Sequence, residues 1–337
     1  MMQAILFKGL NQPLQLGTVA MPVPAADEVL IEVCRCGICG SDLHMTQDPA
    51  FDIAPGSVLG HEYSGRVVEC GKQVSTLKVG DAVAVAPLRG CGHCSSCLRG
   101  EPAWCPAFSL QGGGFAQWAT AKGHQCRVIP SSVGLKDSAL AEPLAVALHG
   151  VMRAGLKPGA KVLVLGAGAI GLAVAYWARR LGAAAVAITD LGDWQRERAL
   201  HLGATHFLVD DGTLPARIAQ SLGGAADIVF ECVGRPGLIA QAIDHVRPRG
   251  TVVVLGLCTV ADRFMPFQAM SKEVSLIMSA FFNMNEFCTA VDVLDGPDAT
   301  PLTMVSETVS LAEMPLAFEA LRQRQHQCKV MVAPQQA

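Results

Sequence analysis

Short apolar–polar alternations fill the first part of the chain. Glu28–Val33, Gly65–Glu69 and Ala82–Ala86 are valine-rich runs bounded by Gly, Pro or Asp, and this pattern predicts strands. Helical periodicity is scarce before residue 140. The pattern changes after Lys157-Pro158-Gly159. From there the spacing predicts a strand at Lys161–Leu165, a helix at Ala169–Leu181, a strand at Ala185–Thr189 and a helix at Asp193–Leu202, followed by further apolar segments at His206–Val209, Ile218–Leu222, Ala226–Phe230 and Thr251–Leu255. Strands alternating with helices predict a parallel sheet covered on both faces. The tail shows one helical pattern at Ala312–Arg324 and a strand at Lys329–Val332, which is expected to return to the first domain.

Composition narrows the class. A chain of 337 residues exceeds one ordinary core, so two domains are expected. With 51% apolar and 16% charged residues it reads as a folded, soluble protein with large cores. Three glycines interrupt the apolar run Val162–Val174, and no run reaches the ~18–20 residues of a membrane span. The N-terminal stretch has neither a basic n-region nor a long apolar run, so a cytoplasmic location is expected. A net charge of −3, without a run of Lys or Arg, argues against nucleic acid as a partner. Thirteen cysteines in such a chain point to metal binding and free thiols rather than disulfides.

Four of those cysteines stand together. Cys91, Cys94, Cys97 and Cys105 read C-x2-C-x2-C-x7-C in a stretch rich in Gly and Pro. Four soft thiolates in one short loop make a closed tetrahedral zinc site, which leaves no position for a substrate. This zinc is therefore expected to be structural, and chemistry must sit elsewhere.

Gly166-Ala167-Gly168-Ala169-Ile170-Gly171 follows an apolar strand and opens a helix, which is the strand–turn–helix context that gives a G-x-G-x-x-G motif its meaning. Gly166 permits the tight turn, Gly168 lets the backbone approach a pyrophosphate, and Gly171 allows close helix–strand packing. The helix N-terminus offers free N–H groups to the phosphates. Asp190 closes the next predicted strand. A carboxylate there accepts hydrogen bonds from the adenosine ribose and repels a 2′-phosphate, so NAD is expected over NADP; Arg196 nearby weakens that preference slightly.

A second donor set begins at Cys39-Gly40-Ser41-Asp42-Leu43-His44 and continues with Gly60-His61-Glu62 and Glu142 before Pro143. A catalytic zinc needs about three protein ligands and an open position. Mixed thiolate, imidazole and carboxylate donors from separated loops suit that need.

Together with Leu255-Gly256-Leu257, these motifs occur in an order that resembles the zinc-dependent medium-chain alcohol dehydrogenases, in their polyol and threonine dehydrogenase branch. The resemblance covers nearly the whole chain. It implies an α/β architecture: a GroES-like β-rich catalytic domain at 1–148, a Rossmann NAD-binding domain at 149–287, and a segment 288–337 that completes the first. It implies two zinc ions per chain, a small alcohol or ketone as substrate, no membrane partner, and a homo-oligomer of two or four copies. Cys39 and His61 would hold the catalytic zinc, with Glu62 as a third or exchangeable ligand. Glu142 would be either a ligand or a carboxylate reaching the ion through water. Asp42 would orient the His61 ring, as metal-bound imidazoles require. Ser41 would take the substrate hydroxyl proton and pass it through the nicotinamide ribose toward His44. Leu255, Gly256 and Leu257, with Ala169 and Ile170, would contact the dinucleotide.

One departure affects the substrate. Sugar-alcohol relatives carry Arg beside an aromatic after the strand equivalent to Val274–Met278, whereas this chain reads Ser279-Ala280-Phe281-Phe282-Asn283, without a cation. Polyol hydroxyls left unpartnered cost binding. The expected substrate is therefore a secondary alcohol or its ketone, with a polyol, diol or threonine-type substrate as the alternative. Phe51, Phe115, Trp118 and Phe281 either line a less polar pocket or belong to the core. From another class, a non-catalytic zinc and dinucleotide binder is disfavoured by the complete set Cys39, Ser41, His44, His61 and Glu62.

Overall fold

The computed structural model describes residues 1–131, 133–295, 300–324 and 326–336. Its contacts define two compact units, Met1–Glu142 with Phe282–Ala337, and Pro143–Phe281. The expected divisions at 148/149 and 287/288 lie about six residues further along. Helix α3 (Ala141–Arg153) belongs with the second unit from Pro143 on, because Trp177 Nε1 donates to the Leu144 carbonyl at 2.9 Å. Phe282 already belongs with the first unit: its ring stacks on Phe287 with centroids 5.5 Å apart, and Met284 N donates to Gly100 O.

The first unit opens with an antiparallel hairpin, β1 (Met2–Leu6) and β2 (Gln15–Val19). Strand β3 (Glu28–Gly37) pairs antiparallel with β4 (Glu62–Cys70), and α1 (Gly40–Met45) lies in their connection. Next come β5 (Ala82–Val85) on β4, the small excursion β6 (Leu88–Arg89), α2 (Ser95–Leu98) and β7 (Ser109–Leu110), then β8 (Trp118–Lys122) on β3 and β9 (Cys126–Val128) on β5. Val29, Ile31 and Val33 of β3 alternate into a core that includes Phe7, Tyr63, Phe115 and Phe318. Phe115 is fully buried there, and Trp118 packs against the small cluster of Met2, Ala4 and Ala116. Phe115 is thus a core residue, while Trp118 is only partly buried. Phe51 packs partly buried against the larger core.

The second unit alternates strand and helix: β10 (Lys161–Leu165), α4 (Ala169–Arg180), β11 (Ala185–Asp190), α5 (Arg196–His201), β12 (His206–Val209), α6 (Leu214–Leu222), β13 (Ala226–Glu231), α7 (Leu238–His245), β14 (Val246–Val254), α8 (Pro266–Ser271) and β15 (Ser275–Met278). All pairings are parallel, in the order β12-β11-β10-β13-β14-β15. Val162 to Leu165 are buried throughout, as a strand covered on both faces requires. The order reverses between β10 and β13, so the carboxyl ends of these two strands mark the ligand crevice of a doubly wound sheet.

The tail contributes α9 (Met284–Leu294), β16 (Val305–Val309), α10 (Met314–Ala320) and β17 (Lys329–Val332) to the first unit. There β17 pairs with the end of β3, giving the sheet order β16-β17-β3-β4-β5-β9, with β8 also on β3. The predicted α/β architecture with a β-rich first domain, a doubly wound second domain and a returning tail is the observed one. No helix among the described residues is long and apolar enough to cross a membrane.

Candidate metal and dinucleotide sites

The four cysteines of the β6–β7 excursion converge. Their sulfurs all lie within 4.8 Å of one another, and Cys91 and Cys97 are 4.0 Å apart. A tetrahedral ion with Zn–S of about 2.3 Å sets sulfurs roughly 3.8 Å apart, so the donor set fits zinc. Backbone N–H groups point at these sulfurs: Cys94 N donates to Cys91 Sγ, while Cys91 N and Ala107 N donate to Cys105 Sγ, each at 3.3 Å. The N–H groups of His93 and Cys94 bring the Cys91 thiol down to about 6, which favours the thiolate form a metal needs. Gly90 is needed beside this lobe, since a Cβ there would lie 2.6 Å from Cys97 Sγ.

The second donor set forms where β3 and β4 meet α1. Cys39 caps α1, and His61 and Glu62 lie at the start of β4. Ligand atoms of Cys39, His61 and Glu62 lie within 4.8 Å of one another. Asp42 is fully buried and ties the set together: its Oδ2 accepts from Cys39 N at 2.9 Å, and its Oδ1 faces His61 Nδ1 at 3.3 Å. Nε2 is thereby the ring nitrogen left for a metal, and Ser41 Oγ lies 3.4 Å from it. Burial opposes charge on His61, but the Asp42 carboxylate and then Cys39 outweigh it, holding the imidazole well above its usual range. His44 sits partly exposed in the last turn of α1.

Glu142, in the first turn of α3, is only 7% exposed. Burial, reinforced by repulsion from Glu62, raises its carboxyl from 4.5 to about 7. Among the described residues it lies outside the compact Cys39–His61–Glu62 group.

Sequence reasoning missed Lys329. This β17 lysine is 2% exposed, and its ammonium grips both oxygens of Glu62 at 2.7 and 2.6 Å. Burial works against its charge, yet Glu62 more than reverses this, so the ammonium is held above the usual lysine range. One signal was available: a lysine opening the apolar strand Lys329–Val332 must find a counterion if the strand is central.

In the second unit, the Gly166 turn joins β10 to α4 with φ of 93°, and a Cβ there would meet Val233 Cγ2 at 2.4 Å. A Cβ on Gly171 would lie 1.9 Å from the Gly166 carbonyl oxygen, so α4 can approach the strand only with glycine at that position. Gly168 caps α4, placing Ala169 and Ile170 in its first turn. Asp190 reaches this turn, its Oδ2 accepting from Ala167 N at 3.1 Å. Leu255 and Gly256 donate their N–H groups to the Glu231 carbonyl, and the Glu231 side chain accepts from Val233 and Gly234. The turns after β10, β13 and β14 are thus stitched into one edge, with Leu257 exposed beside them. Arg196 is turned to Asp193, 2.6 Å away, and lies over the Phe207 ring.

A protein with these two units and this donor chemistry is of the zinc-binding dehydrogenase class. Residues 25–131 match the alcohol dehydrogenase GroES-like domain, and residues 169–296 match the zinc-binding dehydrogenase domain. The sorbitol dehydrogenase of Ovis aries is 32% identical over 317 residues, covering 91% of this chain and 89% of that protein. Among solved structures, an alcohol dehydrogenase of Escherichia coli CFT073 complexed with NADH superimposes with a TM-score of 0.89 at 27% identity, covering 99% of both chains. A zinc-binding dehydrogenase of Sinorhizobium meliloti bound to NADP gives 0.87 at 29% identity, again over 99% of both. The chain belongs to the zinc-dependent medium-chain dehydrogenases, in their polyol-dehydrogenase branch.

Proposed function

We propose that this oxidoreductase moves hydride between a secondary alcohol, or its ketone, and NAD, using one catalytic zinc, while a second zinc braces the cysteine lobe. The observation that carries this reading is the convergence of Cys39, His61 and Glu62 in the first unit, separate from the four thiols of Cys91, Cys94, Cys97 and Cys105. A zinc ion at the first set would supply Lewis acidity toward a substrate oxygen. Cys39 Sγ and His61 Nε2 would hold it, with a carboxylate from Glu62 or Glu142. Asp42 keeps the His61 ring oriented through Nδ1. Ser41 Oγ takes the substrate hydroxyl proton, and His44, partly exposed in the last turn of α1, delivers it to solvent.

The Gly166 turn, Ala169, Ile170 and the Leu255-Gly256-Leu257 segment would hold the dinucleotide. Asp190 supports NAD, because its carboxylate already sits at the phosphate turn where a 2′-phosphate would meet its charge. The Asp193 partner of Arg196 also supports NAD, since that guanidinium is engaged elsewhere. The sorbitol dehydrogenase relative favours a polyol as the second substrate reading; the cation-free stretch Ser279–Asn283 favours a less hydroxylated alcohol. A cytoplasmic homo-oligomer completes the proposal.

Metal analysis together with a panel of alcohols, polyols and ketones, followed at the NADH absorbance band, tests it. Two zinc ions per chain and NAD-linked turnover are expected. One zinc per chain and no turnover with any panel member would overturn the reading.

A further inference from the structure

The helix that carries Ser41 and His44 is only six residues long, and so short a helix needs support at both ends. At its start, the Asp42 carboxylate accepts from Cys39 N. At its end, the backbone leaves one acceptor over. Thr46 N donates to the Asp42 carbonyl, and Gln47 N and Asp48 N both donate to that of His44. The amide of Gln47, four residues past Leu43, is therefore spent, and the Leu43 carbonyl has to find side-chain donors. Two reach it. Thr46 Oγ1 donates at 2.8 Å, and the Arg322 guanidinium donates through Nη1 at 3.3 Å. Arg322 Nη2 also donates to Thr46 Oγ1 at 2.9 Å, so hydroxyl and guanidinium close one network over the last turn of α1. Thr46 is fully buried there.

Arg322 arrives from the tail, just past α10 and 276 positions from Thr46. Its own surroundings hold it in place. Nε and Nη2 donate to the two oxygens of Glu319 at 2.7 and 3.2 Å, and the guanidinium carbon lies 5.4 Å from the centre of the Phe318 ring, itself part of the first unit's core. A planar fork suits this task. It serves Glu319, Thr46 and Leu43 at once, which the compact ammonium of a lysine does not match. Its positive charge also suits the C-terminal end of a helix.

Resting on the proposed proton relay, we infer that Arg322 is a positioning residue: it fixes the last turn of α1 and so keeps His44, which lies in that turn, in place for proton delivery.

Hydrogen exchange of the zinc-loaded protein reads the turn without turnover. In Arg322→Met, the amides of Thr46, Gln47 and Asp48 are expected to exchange roughly 10-fold faster than in wild type, as for a lost charged hydrogen bond, while those of α4 stay unchanged. The rate at low pH, where proton delivery limits, should fall about 10-fold with KM for NAD unchanged, a fraction of the ~10²-fold that a misplacement of about 1 Å can cost. In a His44→Ala background the same substitution should cost no further rate, since a residue acting through His44 then has nothing left to position. Thr46→Val, which removes the bridging hydroxyl and keeps the shape, should reproduce both effects. Unchanged exchange at these three amides in folded Arg322→Met overturns the inference, and so does an equal loss of rate with and without His44; if that variant does not fold, Thr46→Val decides by the same two measures. Wild-type protein without NAD-linked turnover overturns the functional reading instead, while the exchange comparison still reports whether Arg322 caps α1.

Discussion

Replacing Glu142 with Gln probes the electrostatics of the candidate site without changing its shape. The wild-type carboxyl is raised from 4.5 to about 7, first by burial and then by the charge of Glu62. A raised carboxyl binds its proton more tightly in the native state than in the unfolded chain. Its stabilising contribution is therefore complete below pH 4.5 and is lost as the pH rises through about 7. The gap corresponds to roughly 3 kcal/mol, at about 1.4 kcal/mol per tenfold change in proton affinity. The amide that replaces the carboxyl cannot ionise and escapes this loss. In metal-free protein, urea unfolding at a series of pH values should show Glu142→Gln and wild type equally stable near pH 4. The variant should gain above that, reaching roughly 3 kcal/mol by pH 8, or about 6–12 °C in Tm for a unit of this size. With zinc loaded the sign should reverse, because the carboxylate then has a cation to face. A stability difference that stays flat between pH 4 and 8 in the metal-free proteins would refute the argument, since a carboxyl raised by burial and by Glu62 is its premise.

Three other outcomes are expected. Cys94→Ser should reduce the metal content by one ion per chain and lower Tm, while the cobalt spectrum of the Cys39 site stays unchanged; loss of both ions would show that the two sites are not independent. On the proposed preference for NAD, Asp190→Ser should raise KM for NAD and improve use of NADP, since the carboxylate that reaches the Gly166 turn would be gone; initial rates with both cofactors measure this, and an unchanged NAD/NADP ratio would contradict it. His44→Ala should lose rate mainly at low pH, where proton delivery limits, and a pH–rate profile that overlays wild type would take His44 out of the relay.

Much of this was written locally in the chain. The strands at Lys161–Leu165, His206–Val209 and Lys329–Val332 coincide with the expected spans, because each is a short apolar run between turn residues. The helix expected at Asp193–Leu202 begins later, at Arg196, because Asp193 is spent on the Arg196 side chain in the turn before it. The cysteine lobe was legible because all its ligands lie within one excursion of the chain. The glycine turn was legible because each glycine answers to a nearby atom: Val233 for Gly166, and the Gly166 carbonyl for Gly171.

What escaped the sequence is the non-local part. Phe115 carries no mark that separates a pocket wall from a core residue; its full burial within the β3 core shows it to be core. Lys329 is 267 positions from Glu62, and the two meet only because the tail returns through β17 to the end of β3, where Gly37 pairs with Glu62 on one side and Met331 on the other. Ligand motifs identify which donors are available, since donor type and loop spacing are local properties. Which donors stay free to reach an ion depends on the counterions that the rest of the fold brings to them. A carboxylate beside a metal-binding histidine is therefore only half described by its motif; the other half, here, is a buried lysine near the far end of the chain.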